Sequence, residues 1–230
     1  YTEELKPTFG ENAKMEKVKL DAEDVIDKYG SACGSLKKMK RAESLIANAK
    51  FQMTLRGKTF EGTMTKKHLG DKFYQEIKSD ILNQSVWRDG NTVRYRVVGP
   101  VEQPDSIETE KQIFNGTMFP IAKLIDMGYK CKVLGKLKDK IVMKAVSPKG
   151  IEYLFYFNAE TFLLEKTEQY DQAQGAKAVL EETYSNYKEF DGIMIPTRVV
   201  LENPFFTQSI EYTYQINPSI DPAVFAMPKE

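Results

Sequence analysis

A single histidine, His68, bounds the chemistry this chain can do. Any nucleophile–histidine–acid relay would have to be built around it, and sites needing two histidines are excluded. His68 follows Lys66-Lys67 and stands near Gly70, which predicts a solvated turn histidine, not a general base. Cys33 and Cys131 are too distant in sequence for a CxxC pair and too few for a disulfide scaffold, so two packed thiols are expected. Gly30-Ser31-Ala32-Cys33-Gly34 looks like a nucleophile elbow but has the wrong spacing. Asp21, Asp24 and Asp27 fall three apart and lack the dense oxygen ligation of a calcium loop. Asp and Glu are so plentiful that no carboxylate pair stands out for glycoside chemistry. Dinucleotide, phosphate-loop and zinc-peptidase motifs are absent. The sequence predicts no enzyme, no metal and no cofactor.

What it does offer is large, soft apolar side chains. Phe51, Met53, Leu55, Phe60, Met64, Phe73, Trp87 and Tyr95 read as sharing one parity of their strands. Met118 and Phe119 precede a central helix; Phe155, Phe157, Tyr212 and Tyr214 come from later strands. Methionine and aromatic side chains adapt to irregular apolar ligands. The same stripe also describes ordinary core, so the elements that carry it decide what it means.

Asp21 is an N-cap, followed by Glu23 and Asp24 near the positive end of the helix dipole, with Ile26, Tyr29 and Cys33 on one stripe and Gly34 as the stop. From Ser44 the apolar period becomes two. Gly57-Lys58, Gly70-Asp71 and Asp89-Gly90-Asn91 break the chain into short strands, which predicts an antiparallel meander. A helix over Ile107–Phe114 and another opening at Pro120 interrupt it. Strands then resume from Lys130 to Ile216, including one over Lys177–Phe190, turned at Ser147-Pro148-Lys149-Gly150, Asn158-Ala159 and Asp191-Gly192. About ten strands in one meander must curl or close, and a wide curved sheet leaves room that its own side chains fill poorly. Residues 1–20 read as a polar arm or linker remnant, and 21–230 as one domain.

The 33 basic and 33 acidic residues balance among 230, which argues against a nucleic-acid partner. No run of apolar residues is long enough to span a bilayer. Lys37, Lys38, Lys40 and Arg41, with Lys14, Lys17 and Lys19, could touch anionic headgroups peripherally, although a solvated surface explains them as well. The chain opens at Tyr1 and not Met, as removal of a signal peptide or shortening of the chain would leave it.

Several stretches resemble one family. Asp21-Ala22-Glu23-Asp24-Val25-Ile26-Asp27-Lys28-Tyr29 with Gly34 and Leu36-Lys37-Lys38-Met39-Lys40 looks like the opening of the outer-membrane lipoprotein-sorting-like (LolA/LolB-like) proteins of the Bacteroidetes type. So do Trp87-Arg88-Asp89-Gly90, Phe157-Asn158-Ala159-Glu160-Thr161-Phe162-Leu163-Leu164, the run Tyr184–Pro196 and the tail Ile220–Pro228. The resemblance implies an α+β fold, a large curved antiparallel β-sheet or half-barrel wrapping two or three helices. It further implies an apolar cavity in a non-enzymatic periplasmic protein of the cell envelope. A monomer is expected, holding a lipid or acylated protein in a cavity lined by Met53, Leu55, Met64, Phe73, Trp87, Tyr95, Met118, Phe119, Phe155, Phe157 and Tyr212. The alternative is an envelope protein–protein interaction module or accessory domain without a lipid ligand.

Overall fold

The computed structural model describes residues 14–170 and 179–228. The start of the expected arm, the first two residues of the strand expected at Lys177, and Lys229 and Glu230 at the end of the expected domain lie outside the described residues. Helices α1 (Ala22–Ala32) and α2 (Leu36–Arg41) lead into strands β1 (Ser44–Leu55), β2 (Lys58–Leu69), β3 (Lys72–Ser79), β4 (Asn83–Asp89) and β5 (Thr92–Arg96). Helices α3 (Ser106–Asn115) and α4 (Pro120–Lys123) follow. The chain continues as β6 (Lys130–Leu137), β7 (Lys140–Val146), β8 (Glu152–Asn158), β9 (Leu164–Tyr170), β10 (Val179–Phe190), β11 (Ile193–Glu202) and β12 (Phe206–Ile216), then a 3-10 turn at Pro222–Phe225. The fold is α+β, with twelve strands hydrogen-bonded in the order β5-β4-β3-β2-β1-β12-β11-β10-β9-β8-β7-β6. Among the described residues no helix is long and apolar enough to cross a membrane.

Contacts gather into two compact units. The first comprises the residues through Lys40 and Ile121–Thr207; the second comprises Arg41–Pro120 and the residues from Gln208 onward.

In the first unit, α1 begins with a reciprocal capping box: Asp24 N donates to Asp21 Oδ1 at 2.9 Å and Asp21 N to Asp24 Oδ2 at 3.1 Å. The stripe Val25, Ile26, Tyr29 and Cys33 is buried. Tyr29 meets Phe157 edge-on at 5.6 Å between ring centres, and Tyr153, Phe155 and Phe157 continue as an aromatic ladder along β8. Burying each such side chain contributes roughly 1.5–3 kcal/mol. The helix stops where Gly34 turns left-handed (φ +99°), and Cys33 O accepts from Met194 N at 2.9 Å. A side chain at Gly34 would strike the carbonyl oxygen of Gly192.

The opposite face of this unit's sheet is also apolar. Val142, Leu154, Tyr156 and Tyr170 form a second buried cluster under Met15, Leu134 and Leu137. Within it Glu168, only 3% exposed, accepts from Tyr156 Oη and Tyr170 Oη, each at 2.7 Å, and from Lys166 Nζ at 2.7 Å. Burial and the adjacent carboxylate hold both phenols well above their ordinary pKa. The described part of the N-terminal arm reaches the sheet at one point. Glu16 and Lys136 exchange backbone hydrogen bonds of 2.9 and 2.8 Å at the outer edge of β6, beside the bulge at Gly135. Tyr95 and Glu102 make a similar reciprocal pair on β5. Cys33 is a buried free thiol and Cys131 a half-buried one.

Candidate functional site

In the second unit the register sorts side chains into two faces. One face carries cross-strand rows that include Leu45–His68–Phe73–Arg88–Val93, Ala47–Lys66–Gln75–Val86–Tyr95, Ala49–Met64–Ile77–Gln84 and Met53–Phe60. Of the expected lining residues, Met53, Leu55, Met64, Phe73 and Tyr95 share this face. Helix α3 covers part of it: Ile113 packs with Tyr95 on the buried cluster Phe73, Val86 and Val93. Beyond the helix, Met53, Leu55 and Phe60 stay half-buried. Tyr212 from β12 is buried; its hydroxyl donates to Met64 Sδ at 3.6 Å, and its ring stacks on Tyr214 at 5.5 Å.

Two polar side chains that the sequence reading did not place among the lining residues organise this face. His68 lies inside β2 and not in a turn: it is 5% exposed, its ring is 4.8 Å from that of Phe73, and its Nδ1 lies 3.2 Å from Gly116 O. The expected solvated turn is wrong because β2 runs on to Leu69, and His68 keeps the inward parity of Met64. Arg88 is 8% exposed. Its Nε donates to Gly90 O at 2.8 Å, while one terminal nitrogen reaches Ile113 O at 3.3 Å, Gly116 O at 3.0 Å and Thr117 Oγ1 at 3.2 Å. It thereby satisfies the carbonyls that the end of α3 leaves open. Burial lowers the guanidinium pKa, and the charge of Asp71 opposes that shift. The segment held in this way leads directly to buried Met118 and half-buried Phe119, whose φ is +51°.

Trp87 departs from the expected parity. It pairs with Tyr74 on β3 and Arg94 on β5, which puts it on the opposite face, its ring 5.6 Å from Tyr74 and under Arg96. Val86 and Arg88 hold the inner positions of β4 instead. Phe155 and Phe157 belong to the first unit, where they are 1% and 0% exposed and Phe157 meets Tyr29 of α1.

A groove of about 570 Å³ lies over β1, β2 and β12, lined by Lys50, Phe51, Gln52, Glu61, Gly62, Thr63, Ser209 and Glu211. None of the expected lining residues borders it, and most of its side chains are polar. Among the described residues no group of three or more His, Cys, Asp or Glu side chains could hold a metal ion.

No sequence-family profile matches the chain. No curated protein matches it by sequence either. Solved structures do. A DUF1329 family protein from Desulfovibrio piger superposes with a TM-score of 0.62 at 15% identity, covering 89% of this chain and 97% of that one. A LolA superfamily protein from Nitrosomonas europaea gives 0.61 at 13% identity over 90% and 98% of the two chains. A domain described as an outer-membrane lipoprotein-sorting protein, from Vibrio parahaemolyticus, gives 0.61 at 14% over 89% and 97%. At these identities the likeness speaks for architecture alone: the chain has the fold of the LolA superfamily and DUF1329 structures.

Proposed function

We propose that this is a non-enzymatic binding protein of the bacterial periplasm that holds an acyl chain or lipid-like ligand on the inner face of its second unit. The observation that carries the reading is the half-buried apolar row Met53, Leu55 and Phe60, which continues the face of Met64 beyond the reach of α3. Tyr95, Phe119 and Tyr212 would border the same ligand. Each methylene a ligand buries there contributes about 0.8 kcal/mol, so affinity needs little polar help. The fold shared with structures of lipoprotein-sorting type supports the same class of ligand and the envelope location. Phe155 and Phe157, buried in the first unit, serve as core in this reading, and Trp87 serves the outer face.

The second reading, an envelope protein-interaction module, draws on Val97 and Val98 at the end of β5, which are 40% and 84% exposed.

Mass spectrometry of solvent extracts from purified protein separates the two readings, together with thermal shifts on adding fatty acids. Met53→Asp should abolish retention of bound lipid, whereas Thr54→Asp, on the exposed opposite face, should leave it unchanged. Equal retention in both variants, or a protein that is empty and unshifted by every fatty acid, refutes the acyl reading.

A further inference from the structure

The second unit's inner face mixes apolar and small groups with Gln75, Gln84, His68 and Arg88, and β2 adds a lysine to it. Lys66 lies between Met64 and His68 along the strand and between Ala47 and Gln75 across it. Its Nζ sits 5.6 Å from the ring centre of Tyr212. Among the described residues no carboxylate comes within salt-bridge distance of it. Lys66 is a half-buried residue on this face, and among the described residues its ammonium lies over an aromatic ring and not against a carboxylate.

We propose that Lys66 is the anchor for an anionic headgroup, so that the ligand is an acyl chain ending in a carboxylate or a phosphate monoester and not a neutral lipid. This rests on the acyl-binding reading above. From Lys66 the inner positions of β2 run through Met64 and Gly62 to Phe60, six residues on, a path of about 20 Å at roughly 3.4 Å per residue. Gly62 presents no side chain along that path; the ring of Phe51 fills its place and keeps the surface apolar. Head and tail of a long-chain amphiphile therefore find their chemistries in order along one strand. An ammonium against a carboxylate or phosphate oxygen forms a charge-assisted hydrogen bond, strengthened by the low-dielectric surroundings.

The test is equilibrium binding of three probes of sixteen carbons each: palmitate, hexadecyl phosphate and hexadecanol. Wild-type protein should bind at least one of the anions about tenfold more tightly than the alcohol. Preference for palmitate over hexadecyl phosphate assigns a carboxylate head; the reverse assigns a phosphate. Lys66→Met should remove the preference and leave hexadecanol binding intact. If that variant does not fold, Lys66→Arg should keep the preference and Lys66→Gln should lose it; retention in Lys66→Gln overturns the assignment. Equal wild-type affinity for all three probes rejects the anchor while leaving the acyl site standing. Failure of all three to bind removes the acyl site, and the anchor with it.

Discussion

Arg88→Met should destabilise the second unit by about 2–4 kcal/mol. The substitution keeps much of the side-chain volume in a pocket only 8% exposed but deletes the donors to Gly90 O, Ile113 O, Gly116 O and Thr117 Oγ1. Hydrogen bonds from a charged group are worth roughly 1.5–3 kcal/mol each, and simple addition would exceed what such a change can cost. Two acceptors keep other partners: Ile113 O accepts from Thr117 Oγ1 at 2.6 Å, and Gly116 O lies against His68 Nδ1. The guanidinium is also relieved of its own desolvation, which opposes the loss. Arg88→Lys should fare little better, because one ammonium cannot span the hairpin carbonyl and the end of α3 together. Urea unfolding followed by fluorescence is well suited to the measurement, since the only tryptophan, Trp87, is the neighbouring residue on β4. A Met variant within about 0.5 kcal/mol of wild type would show that Arg88 does not hold the α3 segment, and with it Met118 and Phe119, in place.

Spectrophotometric titration should find five of the twelve tyrosines, Tyr29, Tyr156, Tyr170, Tyr184 and Tyr187, silent through pH 11. All five have pKa values raised first of all by burial. The sign follows: the unfolded chain releases these protons near pH 10 while the folded one retains them, so their contribution is whole below about pH 10 and falls as pH rises further. Gradual ionisation of all twelve without unfolding would contradict it. Burial pushes both thiols up to about 11, so at pH 8 a disulfide reagent should label Cys131 slowly and Cys33 only after denaturation. Rapid labelling of both in the folded protein would refute the packing of α1. Removing the capping box with Asp21→Ala should cost about 1 kcal/mol in urea midpoint analysis, with Asp21→Asn close to wild type; no loss in the alanine variant would mean that the cap carries no weight.

Local chemistry made many elements legible. Asp21 with Asp24 and the Asp191-Gly192 pair at φ +50° and +73° each stand where their residue types require. Face assignment was less legible where a polar residue points inward. On β4, choosing the most apolar parity selects Trp87, because the true inner positions include Arg88, whose partners beyond the hairpin carbonyl of Gly90 come from the end of α3, 25 and more residues away. His68 was hidden in the same way by the turn residues Gly70 and Asp71 just beyond β2. Counting onward by twos from Met64 would have found it, and Lys66 as well. In β8, Tyr153 through Phe157 are all buried. Alternation vanishes there because both faces of the first unit's sheet are covered, which a reading based on a single apolar face could not anticipate.

The two outermost strands share a device: Tyr95 on β5 and Lys136 on β6 each trade a pair of backbone hydrogen bonds with a passing stretch of the same chain. A ladder of twelve strands would otherwise end in two rows of unsatisfied amides, open to stray polypeptide. Each bridge occupies one rung of its edge strand, and the exposed Lys130 and Lys132 charge the remainder of β6, both devices that disfavour addition of a foreign strand.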